Sequence, residues 1–495
     1  MRVLFASSEV YPLVKTGGLA DVSGALPAAL IKAGIDVRVL LPGYPEAMDK
    51  AEAKRQVATL GDPLSVGAET KLISARLPGS GVPVWLLDCP ALYDRPGGPY
   101  QDSTGIDYPD NHLRFGMLSW AAAHLASADS PVKWRPQVLH CHDWQAGLAP
   151  AFLHAWDQPE RPATIFTIHN IAYQGQFPPE TVARLGLPPE MYQIDGLEYY
   201  DHLSFLKAGL FYSDRLSTVS PRYAKEIQSW PHGCGIEGLL ALRAGDLTGI
   251  VNGADYSVWD PSADPHLAIP YAPADFIAGK AANKAAVQAE LGLAQDLEAP
   301  LFVIVSRLND LKGMDLVLSV LPALLRLGAQ LAVVGTGDRT LEEAFRAAAD
   351  SQPEQISARI GYSEALAHKL MAGGDMLLMP SRFEPCGLTQ FYAFRYGAVP
   401  VAHTTGGLAD TVVDSTYDGI MTGTATGFAF EHANAGALQW CVERAIATFR
   451  QKEVWRKIQT NCVYQDFGWD RSAARYIEMY RALTSQAGGN GRGRA

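Results

Sequence analysis

The chain has 495 residues, 48% of them hydrophobic and 19% charged, with a formal net charge of -11. That length exceeds what one hydrophobic core usually supports and predicts two domains of roughly 200–250 residues each. No low-charge apolar run approaches the ~20 residues that span a bilayer, and the acidic balance without a basic run argues against membranes and nucleic acid as partners.

From Met1 the chain passes directly into a short apolar burst at residues 3–7, with no long apolar region or cleavage site behind it, so export is not expected. Further β-rich runs follow at 37–41, 84–87, 138–142, 164–168 and 216–219, each leading through a polar or glycine-containing loop into a helical pattern. That is α/β order with a parallel sheet. A second series occupies 301–306, 331–334, 356–360, 376–380 and 399–402. The joint is expected at Val251-Asn252-Gly253-Ala254-Asp255, ahead of Pro261, Pro265, Pro270 and Pro273, which gives domains at 1–252 and 253–469. Residues 486–495 end in a glycine- and arginine-rich tail with nothing to bury, and are expected to be disordered. The six cysteines, at 89, 141, 234, 386, 441 and 462, form no CxxC pair. They fit a reducing, cytoplasmic setting better than a disulfide framework or a structural zinc site.

Ligands in open α/β sheets bind beyond the carboxyl ends of the strands, so the residues just after each strand are the informative ones, and a cleft is expected between the domains. After the first strand comes Thr16-Gly17-Gly18-Leu19-Ala20-Asp21, which returns letter for letter as Thr405-Gly406-Gly407-Leu408-Ala409-Asp410. Paired glycines opening a helix let backbone amides approach an anion, helped by the helix N-terminus; the alternative is a tight turn. Lys15 precedes the first copy, as a mobile cation or a solvated one, whereas Thr404 precedes the second. Diphosphate contact is therefore assigned first to the first copy, and the second is given only a backbone contact on the nucleotide or phosphate side. No GxxxxGK[ST] occurs, and no GxGxxG follows the first strand.

His140-Cys141-His142-Asp143-Trp144 and Thr167-Ile168-His169-Asn170 close two strands of the first domain. They offer the directional hydrogen bonds a pyranose needs, and an indole for its apolar face. Strand alternation sends His140 and His142 to one face and Asp143 to the other, which disfavours a metal reading. His140 reads first as a core histidine.

In the second domain, Arg307 and Lys312 follow the opening strand. They are either donors for a departing diphosphate or two solvated cations. Tyr362, at another strand end, stacks on a nucleobase or simply packs. Pro380-Ser381-Arg382-Phe383-Glu384-Pro385-Cys386-Gly387-Leu388-Thr389 sets one carboxylate between a phenylalanine and a proline. Glu384 there suits sugar hydroxyls or a developing positive charge, or else a cap or salt bridge. Cys386 reads as a packing residue rather than a nucleophile.

Together these stretches resemble the bacterial and plant glycogen and starch synthases, retaining glycosyltransferases of the two-Rossmann-domain GT-B type. Lys15-Thr16-Gly17-Gly18-Leu19 and Glu384-Pro385-Cys386-Gly387-Leu388-Thr389-Gln390 carry the likeness, which runs roughly from Arg2 to Leu483. The resemblance implies two Rossmann-like doubly wound parallel-sheet domains facing a deep cleft. It implies ADP-glucose as donor, the non-reducing end of an α-1,4-glucan such as glycogen as acceptor, and no metal or other cofactor. Lys15, Gly18, Arg307, Lys312, Gly387, Leu388 and Thr389 would bind the diphosphate, with Gly406 and Gly407 on the nucleotide side and Tyr362 against adenine. Asp143, His169, Asn252, Glu384 and Cys386 would surround the glucose, and Tyr93, Tyr100 and Asp21 would meet the acceptor. The catalytic set would be Glu384, Arg307, Lys312, His169 and Lys15.

The family's C-terminal helix returns to the first domain. Residues 470–485 are expected to form it, with Ala474, Ile477, Tyr480 and Leu483 as its apolar stripe. Cleavage of the C1–O bond puts negative charge on the diphosphate, so the cations must act where that charge develops. Retention by a carboxylate nucleophile or by front-face attack stays open, with the front-face route preferred. Domain closure is expected to exclude water.

Overall fold

A computed structural model of the protein describes residues 1–158 and 160–487. It divides into two compact units, one of Met1–Gly253 together with the chain from Trp469 onward, the other of Ala254–Gly468. The outward crossing and the return lie side by side. A Cβ at Gly253 would fall 2.7 Å from Cα of Trp469, and the Ala254 amide donates to the Phe467 carbonyl at 2.7 Å.

The first unit contains β1 (Arg2–Ala6), β2 (Asp36–Pro42), β3 (Glu52–Gly61), β4 (Thr70–Arg76), β5 (Pro83–Asp88), β6 (Val138–His142) and β7 (Ala163–Ile168). Short strands β8 (Gln176–Phe177), β9 (Glu198–Tyr199) and β10 (His202–Ser204) make a separate small sheet, and β11 (Arg215–Thr218) and β12 (Leu247–Gly249) return to the large one. Its order is β12-β11-β7-β6-β1-β2-β5-β4-β3. The strands from β12 through β5 run parallel. β1 beyond Arg2 and all of β6 are buried, which is why they read as unbroken apolar runs.

The antiparallel pair β3 and β4 extends one edge, and the sequence pattern did not predict it. The first half of β3 is exposed and carries Glu52, Lys54 and Arg55, and its pairing is broken by register shifts. A charged, irregular edge strand protects the sheet from further pairing but erases the apolar signal.

The helix Trp469–Ala487 packs on the helix Gly18–Lys32. It buries Ala473, Tyr476, Ile477, Tyr480 and Leu483, a stripe at helical spacing. Of the expected stripe, Ile477, Tyr480 and Leu483 are buried and Ala474 is exposed; Ala473 and Tyr476 complete the face in its place. The Ser472 hydroxyl donates to the Val251 carbonyl at 2.6 Å and fixes the entry of the helix. The helix runs two residues past the expected end at 485, and the rest of the tail expected to be disordered, 488–495, lies outside the described residues.

The second unit holds β13 (Leu301–Val305), β14 (Gln330–Gly335), β15 (Ile356–Ile360), β16 (Met376–Met379), β17 (Val399–His403) and β18 (Phe428–Phe430). They form a parallel sheet of order β15-β14-β13-β16-β17-β18. Counted within the unit that is 3-2-1-4-5-6, the order of dinucleotide-binding sheets. The winding reverses between β13 and β16, so the loops carrying Lys312 and Glu384 leave the sheet side by side. In the first unit the reversal lies between β1 and β6, and the loops there carry Lys15 and Asp143. Among the described residues no helix is long and apolar enough to cross a membrane.

Candidate active site

At the reversal of the second unit, the Asn309 side chain accepts the Lys312 amide at 3.0 Å and closes a single turn, Asp310–Lys312. Gly313 follows with φ +70, and a Cβ there would lie 2.1 Å from the Pro380 carbonyl oxygen. Only glycine lets the two loops approach this closely. The Lys312 ammonium then reaches Glu384 Oε2 at 2.5 Å, and the Ser381 hydroxyl donates to the same oxygen at 3.0 Å. Glu384 is 8% exposed, so the carboxylate is largely withdrawn from water, while Lys312 stays partly exposed. Arg382 beside it faces away, in a bidentate pair with Asp315 at 2.6 Å.

Arg307 follows β13 on the exposed side of the same loop. Tyr362 follows β15, 74% exposed, with its hydroxyl 3.3 Å from Glu364 Oε2. Thr389 opens the helix Thr389–Tyr396. Gly387 has φ +71, and the Gln390 side-chain amide donates to the carbonyls of Cys386 and Gly387 at 3.0 Å each, fixing the turn that Gly387 and Leu388 form. Cys386 is buried.

Gly406 and Gly407 are both buried and lie against this loop rather than open to a ligand. The Gly407 amide donates to the Glu384 and Pro385 carbonyls, each at 3.2 Å. A Cβ at Gly406 would fall 2.0 Å from the Glu384 carbonyl oxygen, and one at Gly407 2.1 Å from that of Cys386. The backbone contact expected of this glycine pair on the nucleotide or phosphate side is not open to the Gly407 amide, which is engaged inside the protein and holds the backbone on which Glu384 sits. His403, at the end of β17, adds to the same support and was not singled out from sequence. Its Nδ1 lies 2.7 Å from the Ser381 carbonyl, and its place at a strand end was the available signal.

In the first unit the end of β1 carries a residue that sequence reasoning missed. Glu9 accepts from the Thr16 amide at 2.5 Å, the Gly17 amide at 3.1 Å, the Tyr100 hydroxyl at 2.5 Å and the Thr16 hydroxyl. The first glycine pair thus faces a carboxylate of its own chain. A carboxylate directly after the first strand was the signal. Lys15 pairs with Asp21 at 2.7 Å, both partly exposed. Tyr100 also meets the Ser8 hydroxyl at 2.9 Å. Tyr93, expected at the acceptor, is 1% exposed and donates its hydroxyl to the Arg114 carbonyl at 2.7 Å, so it belongs to the core.

Asp143 has φ 54 and ψ -177, a conformation rare outside glycine. Its carboxylate accepts the His169 amide at 2.7 Å and the Asn170 amide at 3.3 Å. Burial nevertheless pushes its carboxyl up to about 7. His142 Nδ1 meets His169 Nε2 at 2.9 Å, and His142 stacks on Phe5 with ring centroids 3.8 Å apart. Burial lowers His169 to about 3 and His142 well below its usual value, so both imidazoles are neutral. His140, held between the Tyr480 hydroxyl at 2.8 Å and Thr167 at 2.6 Å, is a core histidine. Asn252 is buried, and neither its Oδ1 nor His142 Nε2 has a hydrogen-bond partner among the described residues. Trp144 lies edge-on to Phe115 at 4.9 Å. Among the described residues no group of three or more His, Cys, Asp or Glu is placed to hold a metal ion.

A family model described as the starch synthase catalytic domain matches residues 2–242, and one described as glycosyl transferases group 1 matches residues 299–447. With two doubly wound sheets and a lysine paired to a buried glutamate at a topological reversal, they define a glycosyltransferase of the GT-B class. A glycogen synthase of Paramagnetospirillum magneticum is 70% identical over 495 residues, the whole of both chains. Another, from Aromatoleum aromaticum, is 51% identical over 98% of each chain. The chain belongs to the glycogen synthase family and is a retaining hexosyltransferase of glycogen biosynthesis. The catalytic domain of starch synthase IV from Arabidopsis thaliana, solved bound to ADP and acarbose, superposes with a TM-score of 0.87 at 29% identity, covering 98% of this chain and 99% of that one. Sucrose-phosphate synthase from Thermosynechococcus elongatus shares the fold, with a TM-score of 0.59, 16% identity and the same coverage.

Proposed function

We propose that the enzyme takes glucose from ADP-glucose and adds it to the non-reducing end of an α-1,4-glucan in the cytoplasm, with no metal or other cofactor. The observation that carries the residue assignment is the Lys312–Glu384 pair at the β13/β16 reversal, 2.5 Å apart, with the carboxylate buried and the lysine partly exposed. As the C1–O bond breaks, Arg307 and Lys312 meet the charge appearing on the diphosphate, where fixed cations lower the barrier most. Thr389 and the Gly387-Leu388 backbone complete that contact, with Lys15 and Gly18 assigned to the same diphosphate. Glu384, held by Ser381 and Lys312, faces the sugar as positive character grows at its anomeric carbon. The neutral His169, with Asp143 and Asn252, bonds the glucose hydroxyls. Tyr362 offers its exposed ring to the adenine.

On the front-face route the acceptor 4-hydroxyl bonds to C1 as the diphosphate leaves from the same side, and its proton passes to a departing phosphate oxygen. ADP and a glucan longer by one glucose are the products. The cytoplasmic assignment is supported by the cysteines, all free and all but Cys234 buried.

The test is transfer of labelled glucose to glycogen from ADP-glucose and from UDP-glucose by the purified chain. Incorporation from ADP-glucose with an α-1,4 product is expected. Equal or greater use of UDP-glucose would overturn the donor assignment.

A further inference from the structure

We propose that Glu9 is the positioning residue that sets Lys15 and Gly18 for catalysis, acting through the backbone between them. The inference rests on the assignment of Lys15 to the diphosphate. Glu9 is 3% exposed and both of its oxygens are saturated. Oε2 takes the amides of Thr16 and Gly17, and Oε1 takes the hydroxyls of Thr16 and Tyr100. Charge-assisted bonds of this kind are about twice as strong as neutral ones.

The carboxylate is itself anchored. Ser7 Oγ donates to the Glu9 carbonyl at 2.8 Å and lies 2.9 Å from Ser23 Oγ, inside the helix Gly18–Lys32. Glu9 is therefore tied to the end of β1, to that helix and, through Tyr100, to the segment before the next long helix. Elsewhere the loop is held by the paired amides and carbonyls of Val10 and Val14, by the Lys50 ammonium on the Pro12 carbonyl and by the Lys15–Asp21 pair, but the Thr16 and Gly17 amides are taken by Glu9. No atom lies within 4 Å of where a Cβ of Gly17 would stand, and Lys15 and Gly17 are both exposed. Because Glu9 already consumes the amides of Thr16 and Gly17, a phosphate approaching this helix start is left to the Gly18 amide and the Lys15 ammonium. Glu9 thereby decides which groups of the glycine phrase face the ligand and where they stand. It touches neither donor nor acceptor in this account.

The test is a double-mutant cycle on the full-length enzyme with Glu9→Gln, Lys15→Ala and the pair, read as kcat and as KM for donor and glucan. Gln keeps the shape but turns an N–H toward the loop's own N–H groups. Glu9→Gln is expected to lower kcat about 100-fold, the cost of misplacing a catalytic group by about 1 Å, while KM for the glucan stays the same. In the Lys15→Ala background the same change should cost less than about threefold, since groups acting as one unit are not additive. Tyr100→Phe, which removes one donor to Oε1 and keeps the ring, should give a smaller loss of kcat that also vanishes with Lys15→Ala; it carries the cycle if Glu9→Gln does not fold. Full multiplicative losses in the double variants, or wild-type kcat in Glu9→Gln, would overturn the proposal alone. Normal turnover in Lys15→Ala would overturn the diphosphate assignment and the proposal with it.

Discussion

The phrase Thr-Gly-Gly-Leu-Ala-Asp occurs at residues 16–21 and 405–410, opens a helix both times, and does different work in each place. In the first copy the glycine turn is exposed and its amides are gathered by the Glu9 carboxylate. In the second the glycines are buried, and their missing side chains make room for the backbone of Glu384 to Cys386. One copy presents a glycine amide to a carboxylate, the other uses glycine for its small volume. Identical residues therefore do not fix a role; what the neighbouring strand end supplies does. After β1 that is a carboxylate, and beside β17 it is the main chain of the neighbouring loop.

Loss of the Glu384 charge aside, the largest effect should come from the lysine that pairs with the loop the second copy supports. Lys312→Ala is expected to lower kcat about 100-fold, the usual scale for removing one fixed group that stabilises developing charge; steady-state assay with ADP-glucose and glycogen checks it. Next comes Gly407→Ala, which puts a methyl 2.1 Å from the Cys386 carbonyl oxygen. It should cost about 1–3 kcal/mol in thermal or urea unfolding, as overpacking does. Asp143→Asn tests the first unit by pH. Burial holds Asp143 at about 7 in the folded chain, against about 3.9 unfolded, so the folded state binds more protons between those values and loses stability as pH rises through them. Asn removes that loss, and its stability relative to wild type should grow by about 2.6 kcal/mol between about pH 5 and about pH 8. Gly17→Ala should be the mildest: φ is -153 and no atom is near, so the change costs at most about 1 kcal/mol, that of a poorer N-cap. Equal destabilisation by Gly17→Ala and Gly407→Ala would break the comparison.

How much of this was legible depended on burial. The central strands are unbroken apolar runs, so both sheets could be read, and the residues just after them, Asp143, His169, Arg307, Lys312 and Glu384, stood out. The edge strand β3 was not legible, because an exposed charged strand carries no apolar period. Ala474 and Tyr93 went wrong for a related reason: pattern gives a stripe or an aromatic, but which side faces inward is decided by partners far away in sequence. Glu9 and His403 carried only their places after strand ends as a signal, because their importance lies in carbonyls and amides contributed by other segments.

The role of the buried carboxylate is tested most directly by Glu384→Gln, which keeps a hydrogen-bond partner for Ser381 and removes only the charge. Glucose transfer from ADP-glucose to glycogen should fall by about 100- to 1000-fold, with ADP bound by calorimetry as in the wild type. Near-wild-type turnover by a folded, ADP-binding variant would contradict the account.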